Sequence, residues 1–162
     1  MKKEKEFKTN VMRTLEQKRI PYTAHSYQHQ EGVAVDGVTV AESMGQDPAR
    51  VFKTLVARGA SGGCYVFDIP VAENLDLKKA ARAVGEKSVE MIHVAEITAL
   101  TGYVRGGCSP VGMKKLYPTV FHKTALDFDT IIVSGGKIGS QVEAAPQALL
   151  ELVRGKTADL IV

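Results

Sequence analysis

Lys53, in Val51-Phe52-Lys53-Thr54-Leu55-Val56, stands where a charged side chain can do chemistry. The segment alternates as a strand does, with Val51, Lys53 and Leu55 on one face and Phe52, Thr54 and Val56 on the other. Both faces are mostly apolar, so the ammonium is offered to an interior or a cleft. It is costly there unless an anionic partner or a water-lined pocket receives it. The pattern alone leaves open a lysine on an edge strand that snorkels to water. Farther along, Gly106-Gly107-Cys108-Ser109-Pro110 joins two glycines to a hydroxyl and a proline, a loop suited to presenting backbone N–H groups to a ligand. Together the two segments point to a pocket for a small molecule or an acyl ester.

Other chemistries find less support. His25 and His29 are four apart but near a loop and without a Glu-x-x-His pattern, and His93 and His122 stand alone, so no metal site is expected. No Gly-x-Ser-x-Gly elbow exists, and no histidine lies near Cys108, Ser109 or Ser134 in sequence. Folding can assemble a triad from distant residues, yet Cys108 reads first as a small apolar loop residue. Ser134-Gly135-Gly136-Lys137-Ile138-Gly139 superficially resembles a phosphate loop. It lacks the Gly-x-x-x-x-Gly-Lys spacing and falls between two strands rather than before a helix. It reads as a hairpin turn that can still form a pocket rim. No cofactor is implied.

The elements that must position these groups follow from periodicity and from glycine and proline punctuation. Val11, Met12 and Leu15, with Phe7 before them, trace one face of a helix over Thr9 to Arg19, which Pro21 stops. Tyr22 to Tyr27 reads as a strand, Gly32 to Gly37 as a turn, and Val38 to Met44 as a short helix closed by Gly45. Asp47-Pro48 signals a further helical turn. Strands at Val51–Ala57 and Cys64–Val71 flank a glycine-rich hairpin connection. Asp76 caps a helix with Leu77, Ala80, Ala81 and Val84 on one side, and Gly85 ends it. A strand at Val89–Ile92 and a helix with Ala95, Ile97 and Leu100, ended by Gly102, come next. The second half holds strands at Thr119–His122, Thr130–Val133 and Ser140–Glu143, a helix begun by Pro146, and a terminal strand at Ala158–Val162. Short strands interleaved irregularly with short helices predict an α+β fold, a mixed sheet or open barrel with helices around it.

The chain has 162 residues, fitting one domain over 1–162 with a flexible basic tail over 1–8. Hydrophobic content of 44% and charged content of 24% suit a soluble globular protein. The charged start carries no apolar signal, and no apolar run approaches the roughly 20 residues that span a bilayer. Cys64 and Cys108 fit no CxxC pattern. A cytoplasmic chain with reduced thiols and no membrane partner is expected. A net charge of +3 permits weak contact with a polyanion without being a nucleic-acid signature.

Five stretches, in order and spacing, resemble the YbaK/EbsC family, and within it the YbaK-type Cys-tRNA(Pro) deacylases. They are Tyr27; Val51-Phe52-Lys53-Thr54-Leu55; Leu75-Asp76-Leu77-Lys78-Lys79; Thr101 to Gly112; and Val133-Ser134-Gly135-Gly136-Lys137. The G-x-x-x-P pattern of Gly106 to Pro110 is shared with a wider editing superfamily, which includes the insertion domain of bacterial prolyl-tRNA synthetase and freestanding Ala-tRNA(Pro) deacylases. The resemblance implies an enzyme that clears mischarged tRNA in trans. Cysteine is close to proline in size, and binding alone rejects near-isosteres poorly. It implies that Lys53 carries the reaction, that Gly106, Gly107, Cys108, Ser109 and Pro110 shape the acyl pocket, and that Tyr27, Thr54, Ser134 and Gly135 contact substrate. The partner is the acceptor end of an aminoacyl-tRNA, with prolyl-tRNA synthetase supplying tRNA selection. Relatives often carry an aspartate where this chain has Gln141, which removes a candidate grip on the substrate's α-ammonium and bears on amino-acid preference. Family members of this branch are thought to use the substrate's own thiol, with Lys53 and N–H groups of the Gly106-Gly107 loop stabilising charge. Two alternatives remain at this stage: a related specificity such as Ala-tRNA(Pro), and a non-catalytic module binding a nucleotide or a tRNA end.

Overall fold

The computed structural model describes residues 8–30 and 33–162. Most of the expected basic tail, Phe7 of the first helical face, and Gly32 of the expected turn lie outside the described residues. Helix α1 (Asn10–Gln17) forms where apolar residues recur at helical spacing: Val11, Met12 and Leu15 are its buried face, and the Thr9 hydroxyl accepts the Met12 N–H at 3.2 Å as its cap. Helices α2 (Gly37–Ser43) and α3 (Leu77–Val84) are capped by the side chains of Asp36 and Asp76, while α4 (Val94–Thr101) follows His93 and α5 (Pro146–Val153) starts at a proline. Gly85 and Gly102 end α3 and α4 in the left-handed region, as their positions predict. On α3 only Ala80 and Ala81 are buried, and Leu77 faces out.

The strands are β1 (Tyr22–Ser26), β2 (Phe52–Gly59), β3 (Cys64–Pro70), β4 (Val89–Met91), β5 (Thr119–His122), β6 (Ile131–Ser134), β7 (Ser140–Ala144) and β8 (Lys156–Ala158). They form two sheets rather than a closed barrel: an antiparallel one in the order β1-β7-β6 and a mixed one in the order β4-β2-β3-β5-β8. The α+β expectation with a mixed sheet therefore holds. The terminal strand lies earlier than predicted. Lys156–Ala158 pairs with β5, while the Leu160 carbonyl accepts the Asp76 N–H at 2.8 Å, drawing the last residues onto the start of α3.

One apolar cluster joins the sheets. Val11 and Leu15 of α1 meet Ile131, Val133 and Val142 of the small sheet, Leu149 and Val153 of α5, and Phe52 and Phe121 of the large sheet. The last two rings stack with centroids 6.4 Å apart. Alanines of α3 cover Phe67, Ile69 and Val120 on one face of the large sheet. Ile97 and Leu100 of α4 pack with Val56, Val66 and Ile92, together with Cys108 from the glycine loop. A parallel bridge between Val51 and Ile132 ties β2 to the small sheet. Leu149 is fully buried at this junction. Leu149→Ala is expected to cost about 2–5 kcal/mol by removing transfer energy and leaving a cavity. Urea unfolding should show the midpoint fall with an unchanged slope.

Candidate active site

β4 pairs with β2 only over Ala57–Gly59, so the edge of β2 from Phe52 to Leu55 has no strand beside it on that side. A cleft of about 710 Å³ opens along this edge and is lined by every residue from Val51 to Val56. Alternation sends Lys53 and Thr54 to opposite faces of β2, and both border the cleft because it wraps around the open edge. Opposite stand Tyr27, Gly106, Cys108, Ser134 and Gln141. Seven of the residues singled out by sequence thus share one space.

Lys53 is half-buried. Burial lowers its pKa below the ordinary lysine value, and the carboxylates of Asp36 and Glu73 oppose that shift. Asp36 lines the same cleft from the start of α2. The Thr39 N–H and hydroxyl, both bonded to it, hold its carboxyl below the usual range, with Lys53 adding a smaller pull.

The glycine loop is held from both sides. The Ser134 hydroxyl donates to the Gly107 carbonyl at 2.9 Å and accepts the Gly136 N–H at 3.1 Å, tying the hairpin after β6 to the loop. A Cβ on Gly107 would lie 2.8 Å from the Lys137 Cα, so only glycine allows this approach of two backbones. The Tyr103 hydroxyl donates to the Val111 carbonyl and closes the loop's base. The expectation that Gly107 offers its N–H to a ligand needs correction: that group donates to the Val104 carbonyl at 3.0 Å in a turn internal to the loop. The Gly106 and Cys108 N–H groups make no hydrogen bond among the described residues.

Four predicted contacts fall outside the cleft wall. Gly107 and Ser109 are buried in the loop, the Ser109 hydroxyl accepting the Val111 N–H at 3.3 Å. Pro110 borders a separate cavity of about 120 Å³. Gly135 is buried with its N–H on the Ser140 carbonyl at 2.8 Å. These residues shape the loop and hairpin rather than line the cleft. The histidines do not gather either: His25 Nε2 meets Glu143 Oε1 at 2.8 Å, and His29 Nδ1 lies 3.0 Å from the Gln30 carbonyl.

Cys108 borders the cleft, but burial pushes its thiol up to about 12, with the Asp68 carboxyl adding to the shift. It stays a thiol at neutral pH and is no nucleophile. Gln141 is 5% exposed and exchanges two hydrogen bonds with Gln46, at 2.8 and 3.2 Å. Sequence reasoning missed Asp36, Gln46 and Asp68. Asp68 is fully buried on β3 directly opposite Thr54, whose hydroxyl donates to its Oδ1 at 2.6 Å, while Oδ2 has no partner. A lone carboxylate in Tyr65-Val66-Phe67-Asp68-Ile69 was the available signal.

Comparison with known proteins agrees with this arrangement. A family model described as "Aminoacyl-tRNA editing domain" matches residues 34–152. The Enterococcus faecalis protein named "Putative Cys-tRNA(Pro)/Cys-tRNA(Cys) deacylase EbsC" is 46% identical over 98% of this chain and 96% of its own length. A solved structure described as "a putative trans-editing enzyme for prolyl tRNA synthetase" superposes with a TM-score of 0.78 at 25% identity, over 95% of this chain and 98% of that one. The structure of a hypothetical protein, 23% identical, has the same fold, with a TM-score of 0.83 over 94% of this chain and 99% of its own.

Burial raises the Asp68 carboxyl to about 8, the Thr54 bond opposing, so it is mainly neutral at pH 7. Between the ordinary value of 3.8 and about 8 the unfolded chain has lost a proton that the folded chain keeps. Stability present below that range therefore drains away as pH rises through it, by on the order of 6 kcal/mol in all. Asp68→Asn keeps an acceptor for Thr54 and cannot ionise. Its stability relative to wild type is expected to climb from pH 5 to pH 8, as read by thermal melts in matched buffers. A constant difference would contradict the buried neutral acid.

Proposed function

The chain belongs to the aminoacyl-tRNA editing domain family, and from that premise we propose that it clears cysteine from tRNA(Pro) in trans, with the substrate's own thiol opening the ester. The observation that carries this reading is what the Lys53 cleft holds and what it lacks. It offers cations, Lys53 and Arg105, and hydroxyls on Tyr27, Thr54 and Ser134. Among the described residues that line it there is no histidine, and its one cysteine is held protonated. A site so built, with Asp36 as the one carboxylate among its described lining residues, is suited to positioning groups and steadying charge.

A cysteinyl ester brings the nucleophile with it. Its sulfur attacks its own carbonyl carbon, the C–S bond forms, and the C–O bond to the ribose breaks. The thiol proton passes to the departing ribose hydroxyl, and the resulting four-membered thiolactone is opened by water to free cysteine. The protein contributes orientation, which in intramolecular reactions is worth many powers of ten. Lys53 stabilises negative charge developing on the carbonyl oxygen or holds the terminal ribose and phosphate of the acceptor end. Thr54, one residue on, is fixed by Asp68 and faces the acyl group. The modest positive charge suits weak contact with an acceptor stem, and choice of tRNA then falls to a partner such as prolyl-tRNA synthetase.

Purified Cys-tRNA(Pro) and Ala-tRNA(Pro), each exposed to wild type and Lys53→Ala, test the proposal. Rapid loss of the cysteinyl ester alone is expected, slowed about 10²–10³-fold by the substitution, the effect of removing one stabiliser of developing charge. Loss of the alanyl ester would move the assignment to alanine editing. Turnover of neither would leave a module that binds the acceptor end.

A further inference from the structure

We infer that Asp36 is the specificity-determining group that receives the α-ammonium of the aminoacyl ester; this rests on the deacylase reading above. An aminoacyl ester carries a cation beside the reacting carbonyl, and a largely apolar cleft must meet that cation with an anion or leave it poorly solvated. Among the described residues lining the cleft, Asp36 is the one carboxylate, facing the two cations Lys53 and Arg105. Gln141 is neutral and has both ends of its amide engaged by Gln46.

The geometry holds Asp36 ready for this task. Its Oδ2 takes both bonds from Thr39, the N–H at 3.1 Å and the hydroxyl at 3.0 Å, and the Val38 N–H adds a weaker pull on the same carboxyl. Its neighbour Gly37 lets α2 begin hard against the cleft wall: a Cβ there would come within 2.7 Å of Val71 Cγ1. On the other side, Ala34 sits so close to Gly106 that a Cβ on the glycine would lie 2.6 Å from the alanine's. Residues 34–37 thus run from the glycine loop to Val71, which follows β3 and donates its N–H to the Val51 carbonyl, and they set the exposed Asp36 on the wall of the cleft that holds Lys53. The two opposite charges match the two ends of the substrate, Asp36 for the amino group and Lys53 for the ribose, phosphate or carbonyl oxygen.

Asp36 also caps α2, and asparagine caps equally well, so Asp36→Asn separates the two roles. Single-turnover cleavage of Cys-tRNA(Pro) and of N-acetyl-Cys-tRNA(Pro), which has no ammonium, is measured for wild type and Asp36→Asn, with thermal melts alongside. Asp36→Ser, another good cap, serves where the asparagine variant does not fold. The variant is expected to cleave Cys-tRNA(Pro) about 10- to 100-fold more slowly, the worth of a charge-assisted hydrogen bond, and to cleave the acetylated ester at the wild-type rate. An unchanged rate on Cys-tRNA(Pro), or an equal loss on both esters, would overturn the assignment. A wild type inactive on both would instead take down the deacylase reading on which it rests.

Discussion

Strand β2 receives β3 along its length but β4 over three residues only, and the edge left open between Phe52 and Leu55 is the feature on which the rest depends. An unpaired edge in a folded protein must be covered, blunted or used. Here α4 and the glycine loop pack around Val56 and Ile92 beyond the open stretch, and α2 packs on Val51 and Val71 at its other end. Between these covers the cleft remains, and consecutive residues of one strand reach it from both faces. A lysine and a threonine adjacent in sequence therefore serve the same space while resting on different parts of the core.

That arrangement sets the division of labour. Lys53 is half-buried, and the carboxylates of Asp36 and Glu73 oppose the fall in pKa that its loss of solvation brings. Thr54 is immobilised by a carboxyl beneath it that burial keeps mostly neutral at pH 7. The backbone of the glycine loop is fixed by Ser134 and by the approach of Gly107 to Lys137. Fixed dipoles and placed charges suit the cleavage of an ester already activated by its attachment to ribose, since little reorganisation is left for the moment of reaction.

Much of this was legible in the sequence, and what was not has a physical reason. The alternation around Lys53, the caps at Thr9 and Asp76 and the glycine stops at Gly85 and Gly102 are local signals, and the elements follow them. Asp36 was hidden because Gly37 reads as the end of a turn, whereas it is the first residue of a helix, admitted there by its contact with Val71. The partners of Thr54 and Gln141 lie 14 and 95 residues away, fixed by strand register and sheet packing that no local pattern encodes. For the loop, residue type foretold glycine's closeness to a neighbour but not which N–H groups remain free. Gly107 spends its own within the loop, whereas Gly106 and Cys108 make no hydrogen bond among the described residues.

The central claim is that the protein positions and the substrate's sulfur attacks. Seryl-tRNA(Pro) differs from the cysteinyl ester at that one atom and fits any pocket that admits it. Under single-turnover conditions at neutral pH, the wild-type protein is predicted to cleave Cys-tRNA(Pro) and to leave Ser-tRNA(Pro) near its spontaneous rate, because a hydroxyl is far less acidic and nucleophilic than a thiol. Cleavage of both esters at similar rates would show that water or a protein group makes the attack and would contradict the account.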